Sequence, residues 1–192
     1  MNNLPNLELL DLQDPAHIAE WERAFYRGFS HVTGNRLIQA LWIWNHETQR
    51  LATRIPYADQ LIYAWRDAAG ALGICLSVNV AMQAFQSAAF GFAPEHPAHS
   101  PQACEILATF NLSNRNLGHV THFRSTVFSD LYRRGFRRAY LTTAEKNLRM
   151  GVRIGAELVA EAVIEGEKRY FLQFTLTPSG VPDSVPKATP PG

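Results

Sequence analysis

The chain has 192 residues, of which 46% are hydrophobic and 18% charged, enough to bury one good core and hardly two. Its formal net charge of +1 gives no global attraction to nucleic acid, and no stretch reaches the roughly 18 uncharged apolar residues that would span a bilayer. Cys75 and Cys104 lie in separate apolar segments, so neither a disulfide framework nor a zinc site is indicated. The N-terminus lacks the basic and apolar regions of a signal peptide, and we expect a cytoplasmic protein without nucleic-acid or membrane partners.

The first third of the chain shows mainly helical patterns. A short apolar segment over 7–12 precedes the Asp14-Pro15 pair, which can cap and open a helix. Apolar side chains then recur at spacings of three and four up to Phe29. The pattern resumes after Gly34 and is closed by Pro56, so two successive helices are predicted.

The middle of the chain shows strand patterns. Segments 61–65 and 71–82 are joined by a short turn and predict an antiparallel hairpin. The segment 92–103 contains three prolines and is interpreted as a loop. The following segment 104–113 is strand-compatible with little alternation, as expected when both faces of a central strand are covered.

The remaining elements follow in regular order. We predict a helix ending at Gly135, a strand over 136–143, a short helix and a closing hairpin around Glu165-Gly166-Glu167. The result is a mixed α/β sheet with one strand-loop-helix unit at its centre.

That central unit contains the sequence NLSNRNLGHVTH, residues 111–122. Ligands of such sheets favour the carboxyl ends of strands, where a helix begins. A helix N-terminus offers unpaired N–H groups and a partial positive charge, so the amides of 116–120 could wrap a diphosphate. Gly118 would let the phosphate approach the backbone, and Arg115 would add a cation.

The segment Arg115-Asn116-Leu117-Gly118-His119-Val120 resembles the acyl-CoA signature of the GNAT superfamily of N-acetyltransferases, Gln/Arg-x-x-Gly-x-Gly/Ala, although Val120 departs from its last position. The order of elements over 7–176 is also similar, including paired N-terminal helices. The resemblance implies a GNAT-like acyl-CoA N-acyltransferase fold, with a mixed, mostly antiparallel central sheet flanked by helices. We expect one domain over 1–177 and a Pro-rich disordered tail over 178–192.

The resemblance further implies an N-acyltransferase that moves an acyl group, acetyl in the family's usual form, from acyl-CoA to a small-molecule amine by direct attack. The central strand would splay from its neighbour, and main-chain groups of Phe110, Asn111 and Leu112 would hold the pantetheine. An N–H near Leu112 would polarise the thioester carbonyl. Asn147 resembles the asparagine that contacts the CoA arm, and His119 is interpreted as a lining residue.

Proton transfer is less well marked. Many family members protonate the leaving thiolate with a tyrosine about four residues before the glycine of the final motif, where this chain has Gly151. Glu105, at the start of the central strand, is a candidate general base, and its alternative role is a solvated glutamate at a strand end. Two histidine pairs spaced by three, His96/His99 and His119/His122, have no obvious third ligand, so no metal is predicted.

Two alternatives remain open. The four arginines 133, 134, 137 and 138, with an apolar wall of Phe85, Phe90 and Phe92, would suit an acyl carrier protein as donor, as in long-chain N-acyl amino acid or homoserine lactone synthases. A non-catalytic GNAT-like CoA-binding module is the second alternative. Trp42 and Trp44, on successive faces of the second predicted helix, suggest a homodimer interface.

Overall fold

The computed structural model describes residues 7–32, 42–81, 90–113 and 117–180. Within these ranges there are three α-helices: α1 (Pro15–Phe29), α2 (Leu117–Arg133) and α3 (Glu145–Arg153). The strands are β1 (Glu8–Leu9), β2 (Trp42–Asn45), β3 (Arg50–Thr53), β4 (Gln60–Arg66), β5 (Leu72–Asn79), β6 (Ala103–Asn111), β7 (Arg138–Ala144), β8 (Glu157–Ile164) and β9 (Glu167–Thr175).

Seven of the strands form one sheet in the order β1-β4-β5-β6-β7-β9-β8. Every neighbouring pair in this sheet is antiparallel except β6 and β7, which run parallel. Strands β2 and β3 form a separate hairpin. The predicted mixed, mostly antiparallel sheet is therefore confirmed, with the strand-to-helix unit β6–α2 at its centre.

Helix α1 covers one face of the sheet, which we call the α1 face. Asp14 caps the helix by accepting a hydrogen bond from the backbone N–H of Ala16 (2.8 Å), and Pro15 opens it, as predicted. The helix buries Trp21 and Phe25 against Phe110 of β6, with ring centroids 5.4 and 6.0 Å apart. This aromatic contact fixes α1 over the central strand.

Helices α2 and α3 cover the opposite face, which we call the α2 face. Phe123, Val127, Phe128 and Leu131 recur at helical spacing on α2 and are fully buried there. They pack with side chains of β4, β5 and β9, so both faces of β6 are covered, in agreement with its near-continuous apolar sequence.

The second predicted helix is wrong where the structure describes it. Residues 42–53 form the β2–β3 hairpin, in which Trp42 is buried and Ile43 is half exposed. This alternation is the period of a strand, and tryptophan and isoleucine favour strands. Trp42 packs against Phe25 and Phe29 with centroids 4.7 and 4.8 Å apart, so the premise of the homodimer prediction, an exposed tryptophan on a helix, is corrected.

The packed domain extends slightly beyond the predicted boundary at 177. Ser125 and Ser129 of α2 donate side-chain hydrogen bonds to the carbonyl oxygens of Ser179 and Pro178, at 3.1 and 2.7 Å. Residues 178–180 are therefore attached to α2, and the rest of the predicted tail lies outside the described residues. No helix in the described ranges has the length and hydropathy needed to cross a bilayer.

Candidate functional site

The central feature of the site is a separation between β6 and β7. Their parallel ladder runs from Ala103 opposite Arg138 to Ile106 opposite Leu141 and continues no further. Strand β6 extends on to Asn111 and β7 to Ala144. The two strands therefore diverge toward their carboxyl ends, as the family resemblance implies.

A cavity of about 360 Å³ occupies this divergence. Its walls come from both faces of the sheet, so it passes between the strands. On the α1 face the lining residues are Phe29, Val32, Trp42, Leu107, Ala108, Thr142, Ala144 and Arg169. On the α2 face they are Leu76, Ile106, Thr109, Val120, Arg124, Leu141, Thr143, Ile154 and Phe174, and Lys146 and Asn147 of α3 complete the lining.

The backbone of β6 presents alternate residues to the cavity. In an antiparallel ladder, every second residue directs both its N–H and its C=O at the partner strand. Leu112 N–H donates to Gly73 O of the β5 side at 2.6 Å, so by alternation Phe110 also faces β5. The main-chain groups of Thr109 point the other way, toward the side from which β7 has separated. The Leu112 amide, which was predicted to polarise a thioester carbonyl, thus donates to Gly73 O and faces away from the cavity.

The start of α2 lies next to the cavity. The helix begins at Leu117, and the first four amides of an α-helix have no acceptor within the helix. Gly118 is exposed in this first turn, and Val120 lines the cavity. Arg115 and Asn116 lie outside the described residues.

Arg124 was not anticipated from the sequence. It lies one helical turn after Val120, lines the cavity, and places its guanidinium 5.9 Å from the centroid of the Phe174 ring. Burial lowers the pKa of Arg124, and no described carboxylate forms an ion pair with it. Lys146 adds a second cation to a lining that, among the described residues, contains no carboxylate, and Arg169 adds a third that forms an ion pair with Glu167 outside the lining. The cavity is therefore suited to an anionic ligand.

Helix α3 places Asn147 in the lining of the cavity and Gly151 in the core. Asn147 lines the cavity, where the resemblance places a residue that contacts the CoA arm. Gly151 is buried instead against β9, and a Cβ added there would lie 2.5 Å from Leu172 Cδ1. A side chain at this position would be directed at the core beside Leu172.

Glu105 is fully buried, contrary to the solvated alternative. It lies on the α1 face, opposite Asn79 of β5 and Tyr140 of β7. Neither carboxyl oxygen has a hydrogen-bond partner among the described residues. Burial raises the pKa of Glu105 well above its ordinary value of 4.5, and the interaction with the Asn79 side chain offsets this only in part. Glu105 does not itself line the cavity, but Leu107 and Ala108, just beyond it on the same strand, do.

The other predicted binding residues lie beside the cavity rather than in its lining. Phe110 packs in the aromatic cluster under α1, and Leu112 packs at the edge of that cluster. Asn111 Oδ1 accepts hydrogen bonds from Ser113 N–H (3.0 Å) and Ser113 Oγ (2.7 Å). His119 is half-buried in the first turn of α2.

The aromatic wall predicted for a long acyl chain is core instead. Phe90 and Phe92 are partly buried and pack at a tilt against Phe171, with centroids 4.9 and 5.1 Å apart, and Phe85 lies outside the described residues. His96 Nδ1 accepts from Ala98 N–H. The described ranges contain no group of three or more histidine, cysteine or acidic side chains that could hold a metal ion.

The four-arginine group lies at the far end of α2. Arg133 and Arg134 pair with Asp130, and Arg137 stacks over Tyr132. At 1.5 Å per residue, the 17 residues of α2 separate these arginines from the first-turn amides by roughly 25 Å. Arg133, Arg134 and Arg137 are therefore engaged within the chain, and none of the four arginines lines the cavity.

Comparisons with known proteins reveal structural similarity without detectable sequence relationship. No protein-family model matches the sequence, and no curated protein matches it. The structure is similar to that of TofI in a ternary complex with an inhibitor and MTA, with a TM-score of 0.67 and 19% identity over 91% of this chain and 99% of TofI. It is also similar to BjaI, a CoA-dependent acyl-homoserine lactone synthase solved with SAM and isopentyl-CoA, with a TM-score of 0.64 and 11% identity over 84% of this chain and 78% of BjaI.

A third similar structure is aminoglycoside 6'-acetyltransferase type Ii, with a TM-score of 0.57 and 12% identity over 90% of this chain and 98% of the enzyme. These similarities, together with the sheet order and the β6–β7 separation, show that the chain has the GNAT-like acyl-CoA N-acyltransferase fold.

Proposed function

We propose that the protein is an acyltransferase that moves an acyl group from a thioester of the acyl-CoA type to an amine. The observation that carries the proposal is the cavity between β6 and β7, which combines an apolar interior, main-chain groups of β6 and three cations in one place. Each feature matches one part of an acyl-CoA. The fold supports the proposal by its similarity to the acyltransferases above.

The donor would enter from the start of α2. Its diphosphate would accept hydrogen bonds from the first-turn amides beginning at Leu117, with Arg115 and Arg124 as cations. The pantetheine arm would follow β6 and exchange hydrogen bonds with the main chain of Thr109. Asn147 and Lys146, on the opposite wall, would contact the arm from α3.

The acyl chain would occupy the apolar end of the cavity. Phe29, Val32 and Trp42 form its wall on the α1 face. Because the cavity passes between the two strands, the thioester would lie at the level of their separation. Acetyl is the smallest acyl group that the cavity would take, and its volume leaves room for a longer chain.

The chemistry requires one nucleophilic attack and two proton movements. The amine nitrogen attacks the thioester carbonyl carbon, an N–C bond forms, and the C–S bond breaks to release the thiolate. The amine loses a proton to a base, and the thiolate gains one, so the products are an amide and a free thiol.

Glu105 is the best-placed base on the α1 face. Burial raises the pKa of Glu105, so its ionised carboxylate is a stronger base than a solvated one and takes a proton from an ammonium group more readily. Its partnerless oxygens leave room for that proton.

A carrier-protein donor remains a second candidate, favoured by one specific feature. Lys146, Arg149 and Arg153 of α3 are exposed and spaced by three and four, so they share one face of the helix beside the cavity. Such a face would attract an acidic carrier protein. The arginines at the end of α2, which the sequence suggested for this role, are less suitable because Asp130 engages two of them.

The function is tested by mixing the protein with acetyl-CoA, octanoyl-CoA or an acylated carrier protein and a mixture of amines, and measuring free thiol and amide product. We expect thiol release that depends on the amine and falls at least tenfold in Glu105→Gln. Donor binding without release would identify a non-catalytic CoA-binding module. The double variant Arg149→Glu/Arg153→Glu should slow transfer from the carrier protein alone, with Arg133→Glu as the control.

A further inference from the structure

A row of polar side chains crosses the α1 face of the sheet. Gln60 of β4 lies opposite Asn79 of β5, Asn79 opposite Glu105 of β6, Glu105 opposite Tyr140 of β7, and Tyr140 opposite Gln173 of β9. Directly opposed residues of neighbouring strands point to the same face. The first four side chains of the row are buried.

The amides of this row are held in fixed orientations from outside it. Gln60 Nε2 donates to Thr53 Oγ1 (3.1 Å) and to Ile55 O (2.7 Å), which leaves Gln60 Oε1 as the end directed elsewhere. Asn79 Oδ1 accepts from Ala81 N–H (2.9 Å), which leaves Nδ2 as a donor. These hydrogen bonds thus leave Gln60 Oε1 as a fixed acceptor and Asn79 Nδ2 as a fixed donor.

The groups so presented have no partner. Gln60 Oε1, Asn79 Nδ2, both carboxyl oxygens of Glu105 and the neighbouring Ser77 Oγ are all buried without a hydrogen bond to any described residue. Native proteins contain few such atoms, since each destabilises the fold. Five of them on one face, with their other ends pinned, indicate a site for a polar ligand rather than a flaw in packing.

This site adjoins the cavity. Ser77 pairs with Ala108, which lines the cavity on the α1 face. Leu107, the unpaired residue of a bulge in β6 between Ile106 and Ala108, also lines the cavity. A ligand bound along the row would therefore meet the thioester end of a donor lying in the cavity.

We infer that this row is the subsite for the acyl acceptor and that the acceptor is an amine with a carbonyl or carboxylate group on the adjacent carbon, as in an α-amino acid or its derivative. The inference rests on the proposed function and adds the chemical class of the acceptor. The ammonium group would donate to Glu105 and Gln60 Oε1, and the adjacent oxygen would accept from Asn79 Nδ2 and Ser77 Oγ. Glu105 would then take one ammonium proton, which leaves the neutral amine that attacks.

The arrangement disfavours simple amines. An alkylamine could satisfy Glu105 but would leave Asn79 Nδ2 and Ser77 Oγ buried without an acceptor. Sites built from buried polar groups reject analogues that lack the matching group, because the groups of the site then stay unpaired. The alternative occupant of the row is buried water, which would satisfy these polar groups whichever acceptor reacts, so it predicts no preference between acceptors.

The first test compares matched acceptors. The donor is whichever of octanoyl-CoA and acetyl-CoA the protein turns over. With this donor, kcat/KM is measured for an α-amino acid methyl ester and for an alkylamine of equal length. We expect at least a tenfold preference for the ester. Equal values, or a preference for the alkylamine, would overturn the inference and point to water in the row. Calorimetric titration of CoA is run alongside. If the donor binds but the two acceptors react equally well, only this inference is contradicted. If no donor binds, the proposed function is contradicted.

The second test separates a binding role from a structural one. Ser77→Ala removes a hydroxyl without a partner, so the melting temperature should stay equal or rise, while KM for the α-amino ester rises at least fivefold and KM for the donor is unchanged. Ser129→Ala, which removes the bond to Pro178 O, is the matched control and should lower the melting temperature with no change in either KM. A Ser77→Ala protein that melts earlier and keeps its acceptor KM would contradict the inference.

Discussion

Ile106 of β6 and Leu141 of β7 form the last pair of the parallel ladder at the centre of the sheet, and beyond them the strands separate around the cavity. This pair closes the bottom of the cavity, and both side chains line it. The same separation directs the main chain of Thr109 toward the ligand space and leaves Leu112 bonded to Gly73. The register of β6 on β5 therefore determines which of its main-chain groups face the cavity.

Replacing Arg124 should weaken donor binding. Arg124→Ala removes a half-buried cation, and a charge-assisted hydrogen bond to a donor phosphate contributes about 1.5 to 3 kcal/mol, so Kd for CoA should rise by about 10- to 150-fold. Arg133→Ala is the control, because Arg133 is 68% exposed at the other end of α2. Calorimetry measures both. Equal affinity of the two variants would remove Arg124 from the donor site.

The backbone geometry of β6 predicts a pattern of amide hydrogen exchange. Addition of CoA should slow exchange at Thr109, because its N–H would gain an acceptor in the pantetheine arm. Exchange at Leu112 should be slow with or without CoA, because that N–H already donates to Gly73 O. NMR exchange rates at the two sites provide the measurement. Slowing at Leu112 with none at Thr109 would refute the assignment.

Glu105 should make stability depend on pH. Burial raises its pKa in the folded state, so the folded chain holds a proton that the unfolded chain releases near pH 4.5. The free energy of unfolding should therefore fall as pH rises above about 4.5, by up to about 1.4 kcal/mol per pH unit, until the pKa of the folded state is passed. Glu105→Gln should lack this loss. Urea unfolding of both proteins between pH 4 and pH 9 gives the difference, and parallel curves would mean that Glu105 titrates normally.

The apolar end of the cavity should set the length of the acyl chain. Phe29→Ala would remove part of the wall on the α1 face and enlarge the cavity, so the acyl chain of the preferred acyl-CoA should become longer by several carbons. Some loss of stability is expected because Phe29 also packs edge-on against Trp42 at 4.8 Å. The measurement is kcat/KM across a series of acyl-CoA lengths, with Phe92→Ala as the control outside the cavity. An unchanged preference in Phe29→Ala would mean that the chain lies elsewhere.

Much of the fold could be predicted because its signals are local. The cap at Asp14, the turn at Glu165-Gly166 and the transition from strand to helix before Gly118 are each specified by a few neighbouring residues, and the structure places elements at all three. The β2–β3 hairpin was missed because Trp42 also fits the helical spacing that precedes it. A four-residue strand offers too few positions for its alternation to outweigh that spacing.

The site was less predictable because its properties arise from tertiary contacts. The burial of Glu105 depends on strands β5 and β7 and on the cover over the α1 face, none of which its neighbours in sequence reveal. Arg124 looks like an ordinary helical arginine until the cavity beside it is known. The hydrogen bond from Leu112 N–H to Gly73 O could not be foreseen, since a shift of one residue along a strand reverses the direction of the main-chain groups.

The central claim is that the space between β6 and β7 binds an acyl thioester of CoA, and titration calorimetry with acetyl-CoA and octanoyl-CoA tests it most directly. We expect saturable binding of at least one of them with 1:1 stoichiometry, weakened by Arg124→Ala and unaffected by Arg133→Ala. Absence of binding by both thioesters and by CoA at about 1 mM, where even a ligand held by only about 4 kcal/mol would register, would contradict the claim.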